Sequence, residues 1–132
     1  MHVTASAISL NVPDERASAE FLARHFGFVE EMAADGFVSL RRPDVGYNVV
    51  FLRTGLGTFK PERLRKVDAG GLLLVFVVDG IEEEAERLAG EGLEFEAPLE
   101  TEPWGERYLQ VADPNGVVIQ LVEWVSPPAS GG

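Results

Sequence analysis

The 132-residue chain contains no cysteine, which removes disulfides and thiol chemistry from consideration. It has two histidines, His2 near the N-terminus and His25 on an expected helix, and no Ser-His-Asp constellation is credible with only these two. No apolar run approaches the roughly 20 residues that a membrane helix needs. The first residues show no basic segment followed by a long apolar one, so no secretory signal is read there. A cytoplasmic protein without a membrane partner is expected. Positive charge is scarce as well: 11 Lys and Arg stand against 22 Asp and Glu, a net charge of −11. Neutralising phosphates takes clustered cations, so a nucleic-acid partner is not expected. No Gly-rich loop at a strand-to-helix junction offers a phosphate cradle.

With 45% apolar and 25% charged residues, the composition is that of a globular domain, or of two small modules sharing a core. The acidity is lopsided. Residues 82 to 106 hold ten Glu and one Arg, a balance of −9, whereas Lys60, Arg63, Arg65 and Lys66 crowd into one connecting segment. Such a field can attract a cationic ligand. It can equally be a solvated face that keeps the protein soluble.

The sequence repeats itself. Ala7 to Asp14 alternates apolar and polar residues and ends in a turn signal, and Leu73 to Gly80 fills the same role 66 residues later. Each leads into a helix. The first, over 15 to 25, places Ala17, Phe21, Leu22 and Phe26 on one face before Gly27. The second, over 81 to 89, places Ile81, Ala85 and Leu88 inward before Gly90 and Gly92. Three strands follow in each half, expected over 29–33, 37–41 and 47–53, then over 94–97, 107–112 and 117–124. Pro43-Asp44-Val45-Gly46 and Asp113-Pro114-Asn115-Gly116 serve as matching hairpin turns. One domain spanning 1–132 is therefore read as a first βαβββ module over 5–53, a connector over 54–71, a second module over 72–125 and a flexible tail over 126–132. A four-stranded sheet covered by one helix leaves its other face open, so pairing of modules or of chains is expected to shelter it.

Period two sorts each strand into a helix-facing set and an open set. Ile8, Leu10, Val12, Leu74, Phe76, Val78, Val38, Leu40, Val49, Phe51, Leu109, Val111, Val117, Ile119 and Leu121 are assigned to the helix side. The open side then carries Ser9, Asn11, Phe37, Asn48, Tyr108, Gln110, Gln120 and Trp124, a mixture of aromatic and uncharged hydrogen-bonding groups suited to a small-molecule cleft. A dimer interface or a half-buried core would use the same residues. On this assignment the open side has no His, Asp or Glu, and Tyr108 is its one titratable group.

The doubled βαβββ unit, the Phe21-Leu22 and Phe26-Gly27-Phe28 helix ending and the hairpin from Asp113 to Glu123 resemble the glyoxalase/bleomycin-resistance/extradiol-dioxygenase proteins, the vicinal oxygen chelate superfamily. The likeness spans about residues 5 to 125 and implies an α+β fold whose mixed β-sheets curl into a cup. Metal enzymes of that family place His or Glu ligands at positions that map here onto Ala7, Val50, Leu73 and Gln120. None of these is a good ligand for a divalent ion, so neither a metal nor another cofactor is expected. The metal-free bleomycin-resistance branch is the nearest resemblance. It implies a homodimer that binds a drug, with a Trp-Gly pair ahead of the seventh strand like Trp104-Gly105.

Two functions follow from different classes. The first is a metal-free binding protein that sequesters a small planar aromatic natural product or antibiotic, neutral or cationic, in a cup between modules of a homodimer. Trp104, Tyr108, Phe37, Asn48, Ser9, Asn11, Gln110, Gln120, Phe59 and Trp124 are its candidate contacts, with no catalytic residue. Trp104 offers a flat surface for stacking or for a cation, or else plugs the rim. Phe59 closes over a ligand or tucks under its own loop, and Trp124 can serve packing. The alternative is a metal-independent lyase or isomerase acting on a small carbonyl substrate, which needs an acid or base on the open face. A third reading is an accessory module whose open face is only a dimer interface.

Overall fold

The computed structural model describes residues 1 to 125. The flexible tail expected over 126–132 lies outside the described residues. Eight strands and two helices form in the order β1 (Ala7–Val12), α1 (Glu15–Phe26), β2 (Val29–Ala34), β3 (Phe37–Arg41), β4 (Asn48–Arg53), β5 (Leu73–Val77), α2 (Ile81–Gly90), β6 (Phe95–Thr101), β7 (Glu106–Ala112) and β8 (Val118–Trp124). A single 3-10 turn, Glu62–Leu64, interrupts the connector. The two sheets have the same plan, β1-β4-β3-β2 and β5-β8-β7-β6, with one parallel pair each and otherwise antiparallel neighbours. This is the α+β arrangement of two βαβββ units that the repeat implies.

By contact the chain divides into two compact units. One comprises Met1–Gly71 together with Asp113–Asn115, and the other comprises Leu72–Ala112 and the residues from Gly116 onward. In the first unit α1 starts where Asp14, extended at φ −131°, turns its carboxylate back to accept the N–H groups of Arg16 and Ala17, both at 3.1 Å. That satisfies two of the donors every helix start leaves open. The helix stops at Gly27, whose φ of 71° suits a residue without Cβ, and its N–H reaches the Ala23 carbonyl at 3.2 Å. Arg42 donates from Nη1 to the Phe26 carbonyl and from Nε to Asp44 at 2.7 Å, so it closes the same helix end.

Leu22 and Phe26 of α1 pack with Leu10, Val12, Val38, Leu40, Val49 and Phe51 in a core where each is almost fully buried. Each such side chain contributes roughly 1.5–3 kcal/mol of burial. Ile8 keeps some exposure at the edge and Ala17 is half-buried, while Ser18 and His25 of the same helix are buried. The ring of His25 lies 4.8 Å from that of Phe21.

The Asp113-Pro114-Asn115-Gly116 turn is where the first unit receives its second stretch of chain. Asn115 accepts the Asp14 N–H on its side-chain oxygen at 3.2 Å, and its amide donates to the Asp14 carbonyl at 2.6 Å and to the Ser18 hydroxyl at 2.7 Å. That hydroxyl donates in turn to Asp113 at 2.5 Å, in surroundings where Ser18 is fully buried. The turn motif therefore fixes the first turn of α1.

In the second unit Leu74, Ile81, Leu88, Leu109, Val111, Ile119 and Leu121 form the core. Here α2 begins at Gly80, which has no side chain to cap it. Glu123 of β8 does so across the sheet, accepting the N–H groups of Gly80 at 2.9 Å and Ile81 at 3.1 Å. Those two bonds hold its carboxyl below the usual glutamate range. β6 runs on to Thr101, beyond the expected end at Ala97, with two register shifts against β7. Among the described residues no helix is long and apolar enough to cross a membrane.

Candidate functional site

Each sheet turns one face to its helix, and the strand register shows which side chains share the opposite face, termed open although Ser39 and Val122 on it are buried. In the first unit three rows cross the sheet: Ala7 beside Asn48, Ser9 beside Val50 and Ser39, and Asn11 beside Leu52 and Phe37. The predicted set Ser9, Asn11, Phe37 and Asn48 thus lies on one surface. Asn11, however, is engaged. Its amide donates to the carbonyls of Leu64 and Val67, both at 3.0 Å, and its own carbonyl accepts the Ala69 N–H at 2.8 Å. Asn11 therefore anchors the connector, a role a local sequence pattern cannot show at a separation of 53 residues. Asn48 reaches the Glu31 carboxylate at 3.4 Å, and Arg41 stands 3.6 Å from the other oxygen of Glu31. Phe59 is half-buried within the connector, its N–H bonded to the Leu56 carbonyl at 3.0 Å.

In the second unit the rows are Val75, Gln120, Gln110 and Ala97; then Val77, Val122, Tyr108 and Glu100; then Trp124 beside Glu106. Tyr108, Gln110, Gln120 and Trp124 are therefore together, as expected. The amide of Gln110 donates to the Gln120 oxygen at 2.7 Å, which ties the two into one neutral pair. Trp104 precedes β7 on a turn closed by Glu102 N–H to Glu106 O at 2.8 Å and Gly105 N–H to Glu102 O at 2.9 Å. As whole residues, Trp104 is 58% exposed and Trp124 56% exposed. Along the edge strand β5, Leu73, Val75 and Val77 are also exposed, more apolar area than isolated surface residues would give.

One expectation is corrected. The open face was read as free of carboxylates, with β7 starting at Arg107. The closed turn makes Glu106 the first strand residue instead, opposite Trp124, and the lengthened β6 brings Glu100 opposite Tyr108. Glu102 accepts the Tyr108 hydroxyl at 3.0 Å, and the Trp104 indole N–H donates to Glu106 at 3.3 Å. The hydrogen bond to Glu102, with burial and the neighbouring carboxylates, holds the Tyr108 proton more tightly than in a free phenol. Arg107 points to the helix side and pairs with Glu82 at 2.9 Å.

The four positions where metal-binding relatives carry ligands can be tested on their chemistry. Ala7 and Leu73 open their strands, and Val50 and Gln120 sit in the middle of theirs. Three have no donor atom, and the fourth is a neutral amide already bonded to Gln110. A divalent ion held by such a set would lack the imidazole, carboxylate or thiolate donors it needs. The residues do not fit a metal at these positions. No group of three or more His, Asp or Glu placed to hold an ion occurs among the described residues.

A cleft of about 670 Å³ lies elsewhere, along α1 between Glu20, Phe21, Arg24, His25 and Pro114. It includes none of the ten candidate ligand contacts, and it is wide open to solvent. Because it is open to solvent and holds none of the candidate contacts, the sheet faces remain the candidate site.

The family model described as Glyoxalase/Bleomycin resistance protein/Dioxygenase superfamily matches residues 2–121. No curated protein matches at a significant level. Among solved structures, a glyoxalase/bleomycin resistance protein/dioxygenase from Nocardioides is 20% identical over 98% of this chain and 89% of that one, with a TM-score of 0.77. TioX from Micromonospora sp. ML1 is 21% identical over 93% and 100% of the two chains, with a TM-score of 0.70. Lactoylglutathione lyase from Agrobacterium tumefaciens is 16% identical over 92% and 94%, with a TM-score of 0.73. At such identities the likeness to these structures concerns the fold, which hosts more than one activity.

Proposed function

The chain belongs to the Glyoxalase/Bleomycin resistance protein/Dioxygenase superfamily, and within it we propose a metal-free binding protein that sequesters a small planar aromatic natural product or antibiotic. The observation that carries this reading is the open face of the second sheet. Two exposed indoles and the Tyr108 ring stand there beside the Gln110–Gln120 amide pair, at a place where metal-dependent relatives would chelate an ion. Sequestration needs no chemistry. Stacking and apolar burial supply affinity, and the few polar groups fix orientation. We extend the proposal to a cytoplasmic homodimer, because the apolar strip Leu73, Val75 and Val77 on β5 is surface that a second copy would shelter.

Titration with glycopeptide, quinone and enediyne-type antibiotics, followed by tryptophan fluorescence, tests the binding. The expected result is at least one ligand with a Kd below about 1 μM, near −8 kcal/mol. Failure across the panel refutes it. Sedimentation velocity separates dimer from monomer.

A second reading draws support from the carboxylates on the same face. Glu102 bonded to Tyr108 is an acid–base pair of the kind a metal-independent lyase or isomerase of small carbonyl compounds requires. Turnover of a carbonyl substrate that is lost in Tyr108→Phe would favour it over pure binding.

A further inference from the structure

A neutral amide pair sits on the two central strands of the second sheet. Gln110 and Gln120 stand directly across from each other on β7 and β8, both half-buried, and Gln110 Nε2 donates to Gln120 Oε1 at 2.7 Å. Val75 and Ala97 complete their row. On one side the adjacent row is Leu73, Val118 and Ala112, and on the other it is Val77, Val122 and Tyr108, with Glu100 beyond on the edge strand. The pair is therefore ringed by uncharged side chains. Each carboxamide carries one carbonyl acceptor and one amino donor. The internal bond uses one of each, and neither Gln110 Oε1 nor Gln120 Nε2 enters another hydrogen bond among the described residues. Turning both amides over would reverse the internal bond and still leave one carbonyl and one amino group. The pair is thus a donor beside an acceptor, without charge.

We propose that this pair reads a secondary amide edge, and that the guest of this face carries a lactam or imide in its ring system. The guest carbonyl accepts from Gln120 Nε2, and the guest N–H donates to Gln110 Oε1. The surroundings set the selectivity. A ring that covers the pair without matching it takes two polar groups out of water, and Val75, Ala97 and Val118 have no side-chain donor or acceptor to compensate them. A lactam or imide that covers the same surface exchanges those contacts with water for contacts with itself. The inference rests on the binding reading above and narrows it from planar aromatics in general to those with a cyclic amide or imide.

Equilibrium dialysis of the full chain with three tricyclic rings of one shape tests this: phenanthridinone, a lactam; N-methylphenanthridinone, which keeps the carbonyl and loses the donor; and phenanthridine, which has an acceptor nitrogen and no N–H. The expected result is phenanthridinone bound at least about tenfold more tightly than either of the others. The preference should be the same at about pH 6 and about pH 8, because neither amide titrates. The double variant Gln110→Met and Gln120→Met keeps the side-chain volume, removes both amides and should bring the three rings to within about threefold of one another. The single variant Gln120→Glu keeps an acceptor for the Gln110 amide, removes the remaining donor and should abolish the preference likewise. Melting curves by circular dichroism check that both variants fold.

Equal affinity for the three rings would overturn amide recognition while leaving a binding protein in place. A preference for phenanthridinone that persists in either folded variant would also overturn it, because the amide pair could not then be its source. Absence of binding by all three would refute the inference, and the antibiotic panel would then show whether the broader binding reading falls with it.

Discussion

Replacing Ser18 by Ala tests whether the Asp-Pro-Asn-Gly signature acts as a structural clamp on α1. Ser18 is fully buried, and its hydroxyl donates to Asp113 at 2.5 Å while accepting from Asn115 at 2.7 Å. Alanine keeps neither bond, and water has no access to replace them. A hydrogen bond to a carboxylate is worth about 1.5–3 kcal/mol and a neutral one about 1 kcal/mol. The better helix propensity of Ala offsets roughly 0.5 kcal/mol of that loss. The net destabilisation should be about 2–3.5 kcal/mol, read from urea unfolding followed by far-UV circular dichroism. Asn115→Ala removes its bonds to Asp14 and Ser18 in a more exposed setting and should cost about 1–2 kcal/mol. Because the two residues share the Ser18–Asn115 bond, the double variant should fall short of the sum by about 1 kcal/mol. A loss below about 1 kcal/mol for Ser18→Ala, or strict additivity, would refute the clamp.

Gly27→Ala should cost about 1–2 kcal/mol, because the position has φ 71° and a new Cβ would stand 2.9 Å from the Arg42 guanidinium that closes the helix; a neutral result in the same urea assay would contradict the cap. Glu123→Gln should lower the melting midpoint at pH 7. The carboxyl is held below its ordinary value near 4.5 by the α2 N–H groups, so its contribution is complete above that value and is lost as pH falls through the depressed one. The gap between wild type and variant should therefore narrow by pH 3, and a gap independent of pH would exclude the carboxylate as the cap. Trp104→Leu should weaken a bound aromatic guest about tenfold if the indole stacks on it, and an unchanged Kd would leave Trp104 as a rim plug.

Much of this structure was legible in the sequence because its signals are local. The alternation from Ala7 to Val12 separates helix-facing from open residues, the repeat carries that assignment over to the uniformly apolar Leu73–Val77, and Asp14 and Gly27 bound α1 by their own chemistry. What escaped depended on partners far along the chain. Asn11 looks like a free polar group until the connector carbonyls arrive 53 and 56 residues later. Gly80 starts a helix with no capping side chain of its own, and Glu123 supplies the cap from 43 residues away. The carboxylates beside Tyr108 and Trp124 were missed for a subtler reason. β7 begins one residue earlier and β6 ends four residues later than their sequence patterns suggest, so Glu106 and Glu100 belong to strands, where the two-residue period puts them on the face of Tyr108.

The most direct test of contact against chelation is a titration of the tightest-binding antibiotic into two samples of the same protein. One is dialysed against EDTA, and the other is supplemented with one equivalent of zinc, nickel, manganese or iron(II) in turn. A guest held by stacking and hydrogen bonds should bind all of them with the same Kd within about twofold. Binding abolished by EDTA and restored by one of those ions would contradict it.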